Sequence, residues 1–131
     1  IPVAYVEATA TLYVAFGERI DYGVLYALEQ MLRCHTEPCL AEPDSLRQRL
    51  RDLPQHRGES EVLFDHVADV AELARIVRGY SVRLAASEIR MATCGRYAWV
   101  RLLCPVNRLF DLLLCSPREA ATPLPAPQFA R

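Results

Sequence analysis

The sequence contains no lysine: all fifteen of its basic residues are arginine. A nucleotide-binding phosphate loop needs a lysine on the β- and γ-phosphates, and Schiff-base chemistry needs a lysine amine, so both classes are excluded for this chain. Its five glycines are scattered singly, which leaves no glycine-rich cradle for a phosphate and no nucleophile elbow. No apolar run approaches the roughly 20 residues that span a bilayer. A formal net charge of -1 gives no electrostatic reason to expect nucleic acid or an anionic surface as the main partner. The cysteines Cys34, Cys39, Cys94, Cys104 and Cys115 are odd in number and irregular in spacing, which argues against a secreted disulfide framework and for reduced thiols in a cytoplasm. Cys34, His35 and Cys39 make only part of a metal set, so the two thiols are expected to behave as small apolar side chains flanking a strand. The histidines His35, His56 and His66 fall in separate segments, suggesting neither a metal triad nor an acid–base dyad. No catalytic, cofactor-binding or metal-ligating residue is therefore assigned, and the chain is read as a non-enzyme.

What is present is ample apolar material, 52% of 131 residues, in patterns that alternate between strand and helix. The organising stretch is Thr9 to Leu32. Ala10 to Phe16 is apolar and β-branched enough for a strand covered on both faces. Gly17 breaks it, and Asp21 is placed to cap a helix starting near Tyr22, with Val24, Leu25, Leu28, Met31 and Leu32 on one face. Ile1 to Glu7 reads as a preceding short strand. Cys34 to Ala41 reads as a following one, which Pro38 restricts to an edge or a bulge. Pro43 or Asp44 then starts a short helix whose Leu46, Leu50 and Leu53 share a face, with Arg47, Arg49 and Arg51 on its solvated side.

The polar run from Pro54 to Glu61 separates two halves. After Val62-Leu63-Phe64, Asp65 is expected to cap a helix over Val67 to Tyr80. Its stripe is Val67, Val70, Ala71, Ala74 and Val77, flanked by Leu73, Ile76 and Tyr80. Burial of about six such side chains at about 1.5 to 3 kcal/mol each barely offsets about 1 to 2 kcal/mol of backbone entropy per residue. The helix needs a sheet beneath it. Glu88 to Thr93, a Cys94-Gly95 turn and Arg96 to Leu103 form a hairpin, and Arg108 to Leu114 supplies a third strand. Trp99, beside Tyr97 and Arg101 on the face opposite Val100 and Leu102, is expected in the core under a helix, with a partner-binding anchor as the alternative. Residues 116–131 are rich in proline and alanine and are expected to be disordered. The expected fold is α+β: residues 1–54 as a small βαβ-type layered half, 55–61 as linker, and 62–115 as a helix plus a three-stranded antiparallel meander.

With these elements placed, residues 1–53 resemble the second subdomain of the N-terminal region of general secretory pathway protein E, the assembly ATPase of type II secretion and type IV pilus systems. The matching stretches are Ile1-Pro2-Val3, Leu12-Tyr13-Val14-Ala15, Arg19-Ile20-Asp21 and Glu42 to Leu50. The motor's phosphate loop and tetracysteine zinc element are absent from the sequence, as is the Arg-Leu-Gly motif that binds cyclic di-GMP in some relatives. The resemblance implies a docking or regulatory portion without the engine. It would be a cytoplasmic module of a longer soluble protein, contacting secretion or pilus machinery at the inner-membrane platform, with no nucleic acid, no membrane insertion and no cofactor. The alternative is a sensing domain for a cyclic dinucleotide or another nucleotide messenger, with Arg19, Arg96 or Arg101 on phosphates.

Overall fold

A computed structural model describes residues 1–53 and 60–117. The 54–59 part of the central polar run, with His56, and residues 118–131 of the tail lie outside the described residues. The fold is α+β, with three α-helices and two separate sheets among the described residues. In the first, β1 (Pro2–Val6) runs antiparallel to β2 (Thr11–Phe16), which is central and parallel to β3 (His35–Leu40). A short 3-10 turn, Glu7–Thr9, joins β1 to β2. Val14 and Ala15 are neighbours in β2 and point to opposite faces, yet both are buried, so the strand is covered on both sides as its composition requires.

The crossover between the parallel strands is α1 (Tyr22–Leu32), and Asp21 caps it by accepting from the amides of Gly23 and Val24. α2 (Pro43–Asp52) follows β3 with proline in its first turn. No residue of α2 is buried.

Both outer edges of this small sheet are blunted. The β1 register shifts between Pro2 and Ala4, a bulge beside a residue with no amide proton. In β3 the amides of His35 and Ala41 donate to Ala10 and Phe16, so Thr36, Pro38 and Leu40 turn their amides outward. Glu29 of α1 accepts from both the amide and the hydroxyl of Thr36, at 2.8 and 2.9 Å. Pro38 has no amide proton to offer. Two of the three outward donors are thus removed, and Pro38 stands where an edge strand tolerates proline.

The second sheet has the order β4-β7-β6-β5, where β4 is Glu61–Phe64, β5 Glu88–Cys94, β6 Tyr97–Cys104 and β7 Arg108–Cys115. The hairpin and the third strand form the expected antiparallel meander. The turn is Gly95-Arg96, one residue later than expected, because Cys94 still pairs with Tyr97 and Gly95 takes the positive φ of 55°. The additional strand is β4, which pairs parallel to β7 at the far edge. β4 and β5 therefore run parallel at the two edges, and α3 (Val70–Arg83) crosses from one to the other.

α3 begins three residues later than expected and presents a different face. Asp69, not Asp65, is the cap: it accepts from the Glu72 amide at 2.7 Å, while Glu72 reaches back to the Ala68 amide. Val67 precedes the helix and is fully buried, its amide donating to Cys115. Leu73, Ile76, Val77 and Tyr80 pack on the core of Ala98, Val100, Leu102, Cys104, Leu112 and Leu114. Val70, Ala71 and Ala74 are exposed, Val70 at 81%. Tyr80 meets Phe64 edge-on at 5.9 Å and stacks on Phe110 at 5.7 Å, tying the helix to both β4 and β7.

Among the described residues α1 joins the two sheets, through an apolar cluster and through an exposed pair between Arg33 and Glu88 of β5. On the face of the larger sheet turned away from α3, Ala27 and Met31 of α1 pack against Ala92, with Cys94 and Trp99 closing the cluster. Small residues permit the approach, and a Cβ added to Gly23 would sit 3.5 Å from the Cys94 sulfur. Ala27 is buried for this reason, whereas Leu32, expected on the apolar face, is 38% exposed.

Candidate functional site

Because side chains alternate along a strand, β6 sends Val100 and Leu102 to α3 and Trp99 and Arg101 to the opposite face. Register fixes their neighbours: Trp99 lies opposite Leu113, Arg101 opposite Asp111, and β4 adds Leu63 beside Leu113 and Glu61 beside Asp111. α1 covers this face at its β5 side. Over β4 and β7 it remains open, and Glu61, Val62, Leu63, Trp99, Asp111 and Leu113 line a hollow of about 400 Å³.

Polar groups at its floor are already organised. Arg101 donates through Nε and a terminal nitrogen to the two oxygens of Asp111, each at 2.8 Å. Trp99 Nε1 donates to the same carboxylate at 3.1 Å, and the guanidinium carbon of Arg101 stands 5.0 Å from the Trp99 ring centre. The fork to Asp111 holds the Arg101 guanidinium charged even more firmly than usual, against the opposing effect of burial. Such a pair positions the indole and costs no further ordering when a partner arrives. Trp99 is thus half-buried beside α1 rather than under α3, and it combines the core role expected of it with an exposed flank.

The three arginines considered for phosphate binding lie in three places. Arg19 is exposed in the loop between β2 and α1. Arg96 is exposed in the β5–β6 turn, where its guanidinium lies over the Tyr97 ring and bonds the phenol oxygen. Arg101 is committed to Asp111. A larger hollow of about 760 Å³ borders Arg96 at the start of α3, but there Asp69 and Glu72 already occupy the amides of Glu72 and Ala68 that could meet an anion.

Cys34 and Cys39 sit just before and within β3, and all five thiols are free. Burial, with Glu29 nearby, pushes the Cys34 thiol up, and burial, with Asp21 nearby, does the same for Cys94. Among the described residues no three His, Cys, Asp or Glu side chains gather as a metal site, and no helix is long and apolar enough to cross a membrane. Sequence reasoning missed Asp111, Leu63 and Leu113 as partners of Trp99. The alternation of Arg108 to Leu114 contained the signal, since Asp111 breaks an otherwise apolar strand.

Comparison with known protein families, with curated proteins and with solved structures returns no match.

Proposed function

We propose that the chain is a non-catalytic, cytoplasmic interaction module of a component like general secretory pathway protein E, binding secretion or pilus machinery from the cytoplasmic side. The observation that carries the interaction reading is the open hollow with Trp99 braced by Arg101 and Asp111. Tryptophan and arginine dominate binding hot spots when an apolar surround excludes water, and Leu63 and Leu113 provide that surround. Support for the secretion assignment is the order strand, strand, helix, strand, helix over residues 2–52, the order expected from the residues of the stretch that carries the resemblance.

The test is calorimetric titration of the chain against the purified cytoplasmic domain of an inner-membrane secretion platform protein and against sibling subunits. Binding is expected with one of them, weakened at least about tenfold by Trp99→Ala, the loss typical of a hot-spot residue. Absence of heat with every such partner would sink the reading.

A further inference from the structure

We infer that the outer edge of β4 takes an extended segment of the partner as an added strand, one that places a bulky apolar residue opposite Leu63 and an arginine or lysine opposite Glu61. This deepens the interaction reading, on which it rests, by naming the chemistry that would fill the Trp99 hollow. The backbone supplies the first reason. β4 is an edge of the larger sheet, and the Asp111 amide of β7 donates to the Ser60 carbonyl at 2.8 Å. In a parallel ladder successive residues turn their amide and carbonyl alternately toward and away from the neighbour, so Val62 and Phe64 face β7 while Glu61 and Leu63 face outward. Among the described residues these outward groups have no hydrogen-bond partner. The edge also lacks the devices that blunt the smaller sheet, since Ser60 to Asp65 contains no proline and the β4–β7 register has no shift. Unpaired edge groups beside an apolar hollow are what strand addition uses, with backbone bonds giving affinity and alternate side chains giving specificity.

Register supplies the second reason, because it lines up the side chains of this face in rows across the sheet. One row reads Ala92, Trp99, Leu113, Leu63, and the next reads Arg90, Arg101, Asp111, Glu61. In the charged row Arg90 pairs with Glu88 and Arg101 with Asp111. Glu61 ends the row beside a like charge and makes no ion pair among the described residues, an arrangement that is unfavourable across a ladder. Asp65, exposed just beyond β4, adds a further carboxylate. Arg57 and Glu59 in the preceding run carry equal and opposite charge and leave this excess unchanged. A fifth strand therefore continues the first row with an apolar side chain and the second with a cation, two residues apart as the pleat requires. Antiparallel addition, the slightly more stable pairing, sets the order from N- to C-terminus as apolar, any residue, basic. A second copy of β4 does not meet this demand. Two such edges related by a two-fold axis put Glu61 opposite either Asp65 or Leu63, which sets a carboxylate against a carboxylate or against the apolar row.

The experiment titrates the full chain into fluorescein-labelled peptides of about ten residues, long enough to overhang a strand at both ends. The parent peptide carries Phe-Thr-Arg at the centre of a serine and threonine background. A second has Phe-Thr-Glu, a third Ser-Thr-Arg, and a fourth keeps every side chain of the parent but is methylated on the backbone nitrogen of its phenylalanine, the donor to the Leu63 carbonyl. Anisotropy is expected to show the parent binding, with each of the three changes weakening it at least about fivefold. Glu61→Arg, at an exposed position, is expected to reverse the preference between the arginine and glutamate peptides, and circular dichroism confirms that this variant folds. Equal affinity for the glutamate peptide, undiminished binding of the methylated one, or no binding by any peptide overturns the proposal. So does binding that appears only once Phe129 and Arg131, which have the same order and spacing in the tail, are replaced by serine, because the occupant is then the chain itself. A chain that engages a platform domain through Trp99 but ignores the peptides refutes the added strand alone, whereas one that binds neither refutes the interaction module as well.

Discussion

Replacing Asp111 with alanine removes the acceptor of three hydrogen bonds at once, two from Arg101 and one from Trp99. Hydrogen bonds to a charged group contribute about 1.5 to 3 kcal/mol each, and breaking one side of a fully buried ion pair costs about 3 to 5 kcal/mol. The side chains of Arg101 and Asp111 are 17% and 23% exposed, so water recovers part of that loss. The expected cost of Asp111→Ala is therefore about 2 to 3 kcal/mol. For a chain of this size that lowers Tm by roughly 6 to 15 °C. Replacing the pair together, with Arg101→Met and Asp111→Leu, leaves no orphaned charge and only the half-buried Trp99 indole N–H without its acceptor, so it is expected to cost about 1 kcal/mol, less than Asp111→Ala alone. Urea unfolding followed by far-ultraviolet circular dichroism supplies the energies, and the fluorescence of Trp99, the sole tryptophan, reports the site directly. Arg47→Ala, which breaks only an exposed pair, is the control and should change stability by no more than about 0.5 kcal/mol. If Asp111→Ala behaves like that control, the cluster is an ordinary surface pair and the bracing assigned to Trp99 is wrong.

Met31 is 1% exposed among Ala27, Ala92 and Trp99, so Met31→Ala should cost about 2 to 4 kcal/mol and shift Trp99 emission to the red, both measurable in one urea titration. Val106 has φ of 62° in the loop between β6 and β7, a left-handed conformation that a β-branched residue adopts at a cost of about 1 to 2 kcal/mol, and it is almost wholly exposed. Val106→Gly should therefore raise stability, by about 0.5 to 1 kcal/mol after the added freedom of the unfolded chain is subtracted, and an unchanged or lower Tm would contradict the strain. The Thr36 amide and hydroxyl hold the Glu29 carboxyl below its ordinary value near 4.5. A carboxylate with a depressed pKa stabilises the fold above its unfolded value and loses that contribution as pH falls through the folded one. Tm should accordingly decline below about pH 4.5, and Glu29→Gln should flatten that part of the profile while leaving the slope above pH 5 untouched.

Local signals were the most legible. Asp21 and the α1 start, the edge position of Pro38, the hairpin around Gly95 and the α+β class all follow from capping, missing amide protons and alternation. The α3 face differs from the expected one because Asp65 and Asp69 are both able to cap and lie four residues apart, about one turn. Asp69 with Glu72 three residues on is the capping-box spacing that distinguishes them. Strand β4 is four residues long, and its partner β7 lies some fifty residues away, so no local pattern announces it. The same holds for the Trp99 cluster, which exists only once β6 and β7 pair in register. Ala27 is buried by β5, a contact that the periodicity of α1 alone does not reveal.

Since α1 holds β3 through Glu29 and Thr36 and, within the same turn, lays Ala27 and Met31 on Ala92 and Trp99, one short stretch of helix is engaged on two faces at once. Any ligand that tilts it at the tryptophan must also strain the threonine clasp, and by reciprocity whatever loosens the clasp alters affinity at the tryptophan. Separating the two halves would therefore bare Ala27, Met31, Ala92 and the inner flank of Trp99 together.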